Sequence, residues 1–185
     1  MSKQISKTTI ALLSLFGALI PLLAIGCVGD GFALAPVTGT VTFDGTPVAD
    51  LTVTFSPKST EDNPTPGPFS TATTDSEGKF TLTSRAGKPG AVIGAHRVSI
   101  RLPADATSEK LRDANDRVKD LRGADAATIQ VAKDDVARIT KRIKEYSFIP
   151  ASYLNRPIAE LDVPAEGLTG HVIEMKKTSH QQKKN

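Results

Sequence analysis

The sequence predicts an all-β protein, a seven-stranded antiparallel Greek-key sandwich with a charged α-helical hairpin inserted before the last two strands. Three observations point there. Apolar residues alternate with threonine at a period of two from Val37 to Phe55 and in several later runs. Clusters of Gly, Pro and Asp separate those runs, where the chain must turn. Residues 104–145 alone switch to helical spacing. A chain of 185 residues, 39% hydrophobic and 23% charged, suits one globular unit and excludes wholesale disorder or a multi-span membrane protein.

The first element lies outside that fold. Lys3 and Lys7 precede an apolar run from Ile10 to Gly26 that stops at Cys27. The run is shorter than the roughly 20 apolar residues of a spanning helix. It is basic on its N-terminal side and ends in small residues, as a cleavable export signal does. Ala24-Ile25-Gly26-Cys27 is similar to a bacterial lipobox, in which cleavage falls between Gly26 and Cys27 and the cysteine carries diacylglycerol. Ala24 departs from the commoner leucine. Cys27 is the sole cysteine, so an exported chain could form no internal disulfide, and its position at the signal boundary fits lipid attachment. Residues 1–26 are thus expected to be a signal peptide and residues 27–35 a lipidated linker. Val28, not aspartate, follows Cys27, and by resemblance to lipoprotein sorting this favours the outer membrane of the cell envelope.

Strands then follow in order. Val37, Gly39, Val41 and Phe43, then Leu51, Val53 and Phe55, define two half-buried strands. Asp44-Gly45-Thr46-Pro47 turns the chain between them as a hairpin. Residues 56–68 hold four prolines and form an extended surface loop. Phe69–Thr74 and Lys79–Ser84 read as a second hairpin around Asp75-Ser76-Glu77-Gly78, and Ile93–Leu102 as a fifth strand closed by Pro103. After Pro150, alternation returns in Ile158–Val163 and Thr169–Met175, separated by the turn of Pro164 to Gly167. The sandwich, residues 36–103 and 146–176, is close to immunoglobulin-like size. Residues 177–185 are expected to form a disordered basic tail.

The insertion, residues 104–145, carries nine acids and ten bases. Leu111, Ala114, Val118 and Leu121 form one apolar seam; Ala132, Val136, Ile139, Ile143 and Tyr146 form another, with Gly123 between. Ser108 is the expected cap of the first helix, and Ala126–Lys144 the second. Two narrow seams are satisfied by packing on each other as an antiparallel hairpin. Helices this short are marginal alone, so the hairpin must lean on the sheet or on a partner, which makes it the candidate element for a protein partner or self-association.

Val37-Thr-Gly-Thr-Val41-Thr-Phe-Asp44-Gly45-Thr-Pro47-Val48 with Leu51-Thr-Val53-Thr-Phe55 resembles the opening of carboxypeptidase-regulatory-like, transthyretin-like (prealbumin-like) domains. Thr74-Asp75-Ser-Glu-Gly78-Lys-Phe80-Thr-Leu82 is similar to that family's second signature. Ile149-Pro150-Ala-Ser-Tyr153 and the stretch Leu161 to Met175 resemble the closing segment of envelope lipoproteins that carry this domain. The likeness covers residues 24–103 and 146–176; the helical insertion and lysine tail depart from it. It implies a small sandwich without assigned catalysis.

The expected function is therefore non-enzymatic: a lipid-anchored envelope protein whose sandwich binds or scaffolds. The alternative is an accessory carbohydrate-binding protein or hydrolase of the envelope. A hydrolase would need His96 or His171 gathered with carboxylates, and the related hydroxyisourate hydrolases end in Tyr-Arg-Gly-Ser where this chain ends in Gln-Lys-Lys-Asn. Neither these histidines nor His180 has zinc spacing, and no Gly-x-Ser-x-Gly elbow occurs. Asp75, Glu77 and Gly78 lack the ligand spacing of a calcium loop, so Asp44, Gly45, Asp75 and Gly78 are assigned as structural turn residues, with no metal or cofactor expected. With no Trp, and Tyr146 and Tyr153 near the seam and the closing segment, sugar stacking has few rings to offer. The overall charge of +3 misleads about nucleic acid. Residues 1–26 contribute two lysines and residues 176–185 four, leaving 17 bases against 20 acids between them. That mildly acidic domain gives no reason to expect nucleic-acid binding.

Overall fold

In a computed structural model, which describes residues 31–61 and 64–177, threonine alternation becomes a wall of the core. Val37, Val41 and Phe43 are buried, while Thr38, Thr40 and Thr42 between them are half-buried on the other face. The described residues form eleven strands: β1 (Leu34–Ala35), β2 (Val37–Phe43), β3 (Thr46–Pro47), β4 (Thr52–Pro57), β5 (Ser70–Thr73), β6 (Lys79–Thr81), β7 (Thr83–Ser84), β8 (Ala91–Val92), β9 (Gly94–Arg101), β10 (Pro157–Val163) and β11 (Leu168–Met175). Two helices, α1 (Ser108–Asp120) and α2 (Ala126–Glu145), lie between β9 and β10. Short 3₁₀ turns at Ala104–Ala106 and Ala151–Tyr153 flank them.

The strands make three sheets. One runs β10-β9-β4-β5-β7; the second places β11 on one edge of β2, with β3 and β6 also paired to β2; the third is β1 with β8. The two larger sheets share one core. Phe55 of β4 meets Phe80 of β6 at 6.4 Å between ring centroids, and Val53, Val98 and Ile100 join Val37, Val41, Ile173 and Met175 in the same buried cluster. The chain is thus mostly β with two helices, which is consistent with a β-sandwich.

Several sequence expectations need correction. The count is eleven rather than seven because two-residue strands flank the long ones and because Leu82 divides the stretch 79–84. Leu82 is fully buried, and around it the chain passes from one sheet to the other: β6 pairs with β2, whereas β7 pairs with β5. The second expected hairpin is therefore split between sheets. So is the first. The turn at Asp44-Gly45 returns only β3 to β2; Val48 and Leu51 then sink into the core, and β4 pairs with β5 and β9. Nor is the sandwich wholly antiparallel. The link Pro164–Gly167 carries the chain across to Pro36, whose carbonyl accepts from Leu168 N at 2.9 Å, so β11 starts beside the start of β2 and runs parallel to it.

The boundaries of the fold also shift. Ala35, inside the expected linker, is core and pairs in β1 with Ala91. Lys177, the first residue of the expected tail, donates its amide to Asp44 Oδ1 at 3.1 Å. The α1 cap is Thr107 rather than Ser108: its hydroxyl accepts from Lys110 N at 3.2 Å, while Ser108 is already helical. Asp125 caps α2 by accepting from Thr128 N at 2.9 Å. The seams meet as spaced, with Ala114, Ala132 and Ile139 buried between the helices and Tyr146 carried into the sandwich core.

Candidate functional site

Asp50 and the C-terminal turn of α2 fix the hairpin onto the sandwich. Asp50, held at φ 60°, follows the crossing from β3 towards β4. Arg142 of α2 reaches Asp50 Oδ2 at 2.7 Å, Glu145 Oε2 at 2.9 Å and Asp105 Oδ2 at 3.5 Å, and lies 5.2 Å from the Tyr146 ring centroid. Hydrogen bonds to Asp50 and Glu145 raise its already high pKa further, so it stays charged at every working pH. Tyr146 is buried with its hydroxyl directed at Ala49 O and Asp50 Oδ2, both at 3.4 Å, and burial raises its pKa.

This docking leaves a cleft between the hairpin and the five-stranded sheet. Its volume is about 600 Å³. Thr52 of β4 and Arg101 of β9 form the sheet side; Thr107, Ser108 and Glu109 at the start of α1 and Ile143 of α2 form the helical wall. Leu154 and Asn155 close one end. Asn155 takes φ 60° as its amide donates to Ile100 O, and Leu154 bridges to Ile100, so backbone bonds hold this end of the cleft. Arg101 has no acidic partner within ion-pair distance among the described residues. In a cleft whose lining mixes hydroxyls and an amide with the apolar Leu102, Ala104, Ala106, Ile143 and Leu154, such a guanidinium is a ready donor to a planar anion.

The residues singled out in the sequence lie elsewhere. Gly26 and Cys27 fall outside the described residues, as does His180. Asp44 (φ 47°) and Gly45 (φ 79°) make the turn after β2, and Asp44 N donates to Met175 O at 2.9 Å. Asp75 Oδ1 accepts from both Glu77 N and Lys79 N at 2.9 Å, which leaves it a turn-binding carboxylate. Gly78 (φ 70°) approaches so closely that a Cβ there would lie 2.6 Å from Val41 O. His96 and His171 are on different sheets. His96 is fully buried, its Nδ1 at 2.8 Å from Gly94 O and its Nε2 unpartnered, and burial lowers its pKa. Tyr153 is half-buried with its hydroxyl accepting from Lys176 N at 3.1 Å. Among the described residues no three His, Cys, Asp or Glu side chains come together as a metal site.

Sequence reading missed the cleft because Thr52, Arg101, Ser108 and Asn155 are distant in the chain and none belongs to a motif. The one local signal is the break at Pro103, where strand spacing gives way to helical spacing. Comparisons with protein-family models, with curated proteins and with solved structures found no match.

Proposed function

We propose that this chain is a lipid-anchored protein of the cell envelope, without catalytic activity of its own, in which the β-sandwich serves as a binding module. The observation that carries the reading is the cleft of about 600 Å³ between the sheet and the hairpin, mixed polar and apolar in its lining and provided with an arginine that has no acidic partner among the described residues. A concave site with a few convergent polar groups is what recognition of a small ligand or a chain segment needs. The chain crosses between the two larger sheets after β2, between β5 and β6, between β6 and β7, and between β10 and β11, which supports a Greek-key, transthyretin-like arrangement of the seven principal strands, β2, β4, β5, β6 with β7, β9, β10 and β11. The anchor rests on the basic, apolar and small-residue order that ends at Cys27, and the outer membrane is its proposed destination.

Membrane attachment has a direct test. In a Gram-negative host, the intact chain should sediment with membranes and take up labelled palmitate. Cys27→Ser should remove the label and, once the signal is cleaved, release the protein to the soluble fraction. Unlabelled wild-type protein would end the lipoprotein reading.

A further inference from the structure

The cleft opens onto a larger surface, the outer face of the five-stranded sheet. Register aligns Thr83, Thr71, Thr54 and Ser99 across β7, β5, β4 and β9. The next row holds Thr73, Thr52 and Arg101. Directly opposed residues project from the same face, neighbours about 4.8 Å apart across strands and rows about 6.8 Å apart along them. The intervening residues Val53, Phe55, Val98 and Ile100 are buried, which fixes the threonines outward. Among the described residues no hydrogen bond occupies these hydroxyls.

Each hydroxyl can donate and accept, so the rows match a ligand that itself carries many hydroxyls. The charges narrow the class. Arg97, two residues before Ser99, faces Glu160 at 3.9 Å, and Glu160 is also held by Lys58 at 2.7 Å. Arg101 has no acidic partner among the described residues and stands where the threonine row enters the cleft; Arg85, beyond Thr83, also lacks one but lies over the Phe69 ring at 5.5 Å. Glu109 is on the helical wall, so a ligand's anionic group is expected on the sheet side.

We propose that this face and the adjoining cleft bind an acidic oligosaccharide, with a carboxylate on Arg101 and sugar hydroxyls along the threonine rows. The inference rests on the binding-module reading and gives it a ligand class. Recognition here works through hydrogen bonds and charge.

The test is an amide-resolved NMR titration of the full-length chain in detergent micelles with tetragalacturonate and, separately, the neutral maltotetraose. Tetragalacturonate should shift Thr52, Thr54, Thr71, Ser99 and Arg101 saturably, and bind at least tenfold more tightly than maltotetraose. Arg101→Gln should abolish that preference, and Thr54→Val should weaken the acidic sugar at least threefold without loss of the folded spectrum. Silence of these amides, or binding that survives both substitutions and vanishes when Lys176, Lys177, Lys183 and Lys184 become Gln, overturns the proposal. If neither sugar binds but a fractionated envelope extract shifts Arg101, Ser108 and Asn155, the sugar class falls and the binding module stands. If no fraction moves those residues, both fall.

Discussion

Thr74 is the residue whose importance is hardest to see in one dimension. It is 2% exposed, and its hydroxyl accepts from Leu51 N at 2.9 Å while donating to Val48 O at 2.8 Å. Those two backbone groups lie on the crossing between the sheets, where no ladder serves them. Thr74→Val keeps the shape and strands both, so it should cost about 1–3 kcal/mol; Thr74→Ser should retain most of the stability in the same urea titration. Gly39 makes the complementary point for close approach. A Cβ there would meet His171 O at 2.3 Å and the Phe80 ring at 2.6 Å. Gly39→Ala should therefore force β11 or Phe80 away and cost more than about 2 kcal/mol. At Gly45, where nothing lies within 4 Å, the same change meets only the strain of positive φ, about 1 kcal/mol. Equal losses at the two glycines would show that close packing does not separate them.

Among the elements, the helical hairpin has a seam of its own. Ala114, Ala132 and Ile139 are buried between the helices and stand apart from the sandwich cluster, which instead takes Ala106, Tyr146 and Ile149 from the hairpin's two ends. Arg142 lies 3.5 Å from Asp105, so the entry and exit of the insertion are adjacent. Replacing residues 108–144 by a short glycine-serine link should leave a cooperatively folding sandwich, seen as retained dispersion of the core amides by NMR. A molten spectrum would mean that the helices complete the core. In the intact chain, Arg142→Ala removes a partly exposed network and its stacking on Tyr146, and a loss of roughly 1 kcal/mol is expected in thermal unfolding. The helix boundaries and seams were legible because a 3.6-residue period is local. Which strand pairs with which was not. Val37–Phe43 and Leu51–Phe55 carry the same alternation whether they join one hairpin or face each other across a core, and only burial of Val48 and Leu51 decides it. The cap moved by one residue, from Ser108 to Thr107, because two adjacent hydroxyls offer the same chemistry and backbone geometry selects between them.

At the scale of the whole molecule, two sets of titrating groups set the response to acid, and they act in separate pH windows. His96 is enclosed by Phe55 at 5.9 Å, with Gly94 O its sole hydrogen-bond partner among the described residues; Asp162 of β10, which pairs with Ala95 of β9, is the charge that bears on it. Burial lowers its pKa below the ordinary 6.5, and the Gly94 bond and Asp162 oppose this only in part. The unfolded chain therefore takes up a proton at His96 before the folded chain does. Stability from the neutral ring is complete above pH 6.5 and is lost as pH falls from there through the folded-state value. Asp116, Asp125, Asp135 and Glu160 are all lowered by bonds to Lys119, Thr128, Arg138 and Lys58. Their contribution is present above the ordinary carboxylate range of 3.8 to 4.5 and is lost below it. These are exposed pairs, three of them on the hairpin, so they weigh on the helices more than on the sandwich. Urea unfolding measured from pH 8 to 3 should fall in two steps, the first setting in below pH 6.5 and the second below the carboxylate range of 3.8 to 4.5. His96→Leu should flatten the first step and leave the second. A first step that persists in that variant would assign the loss to another group, because His96 is the buried histidine among the described residues.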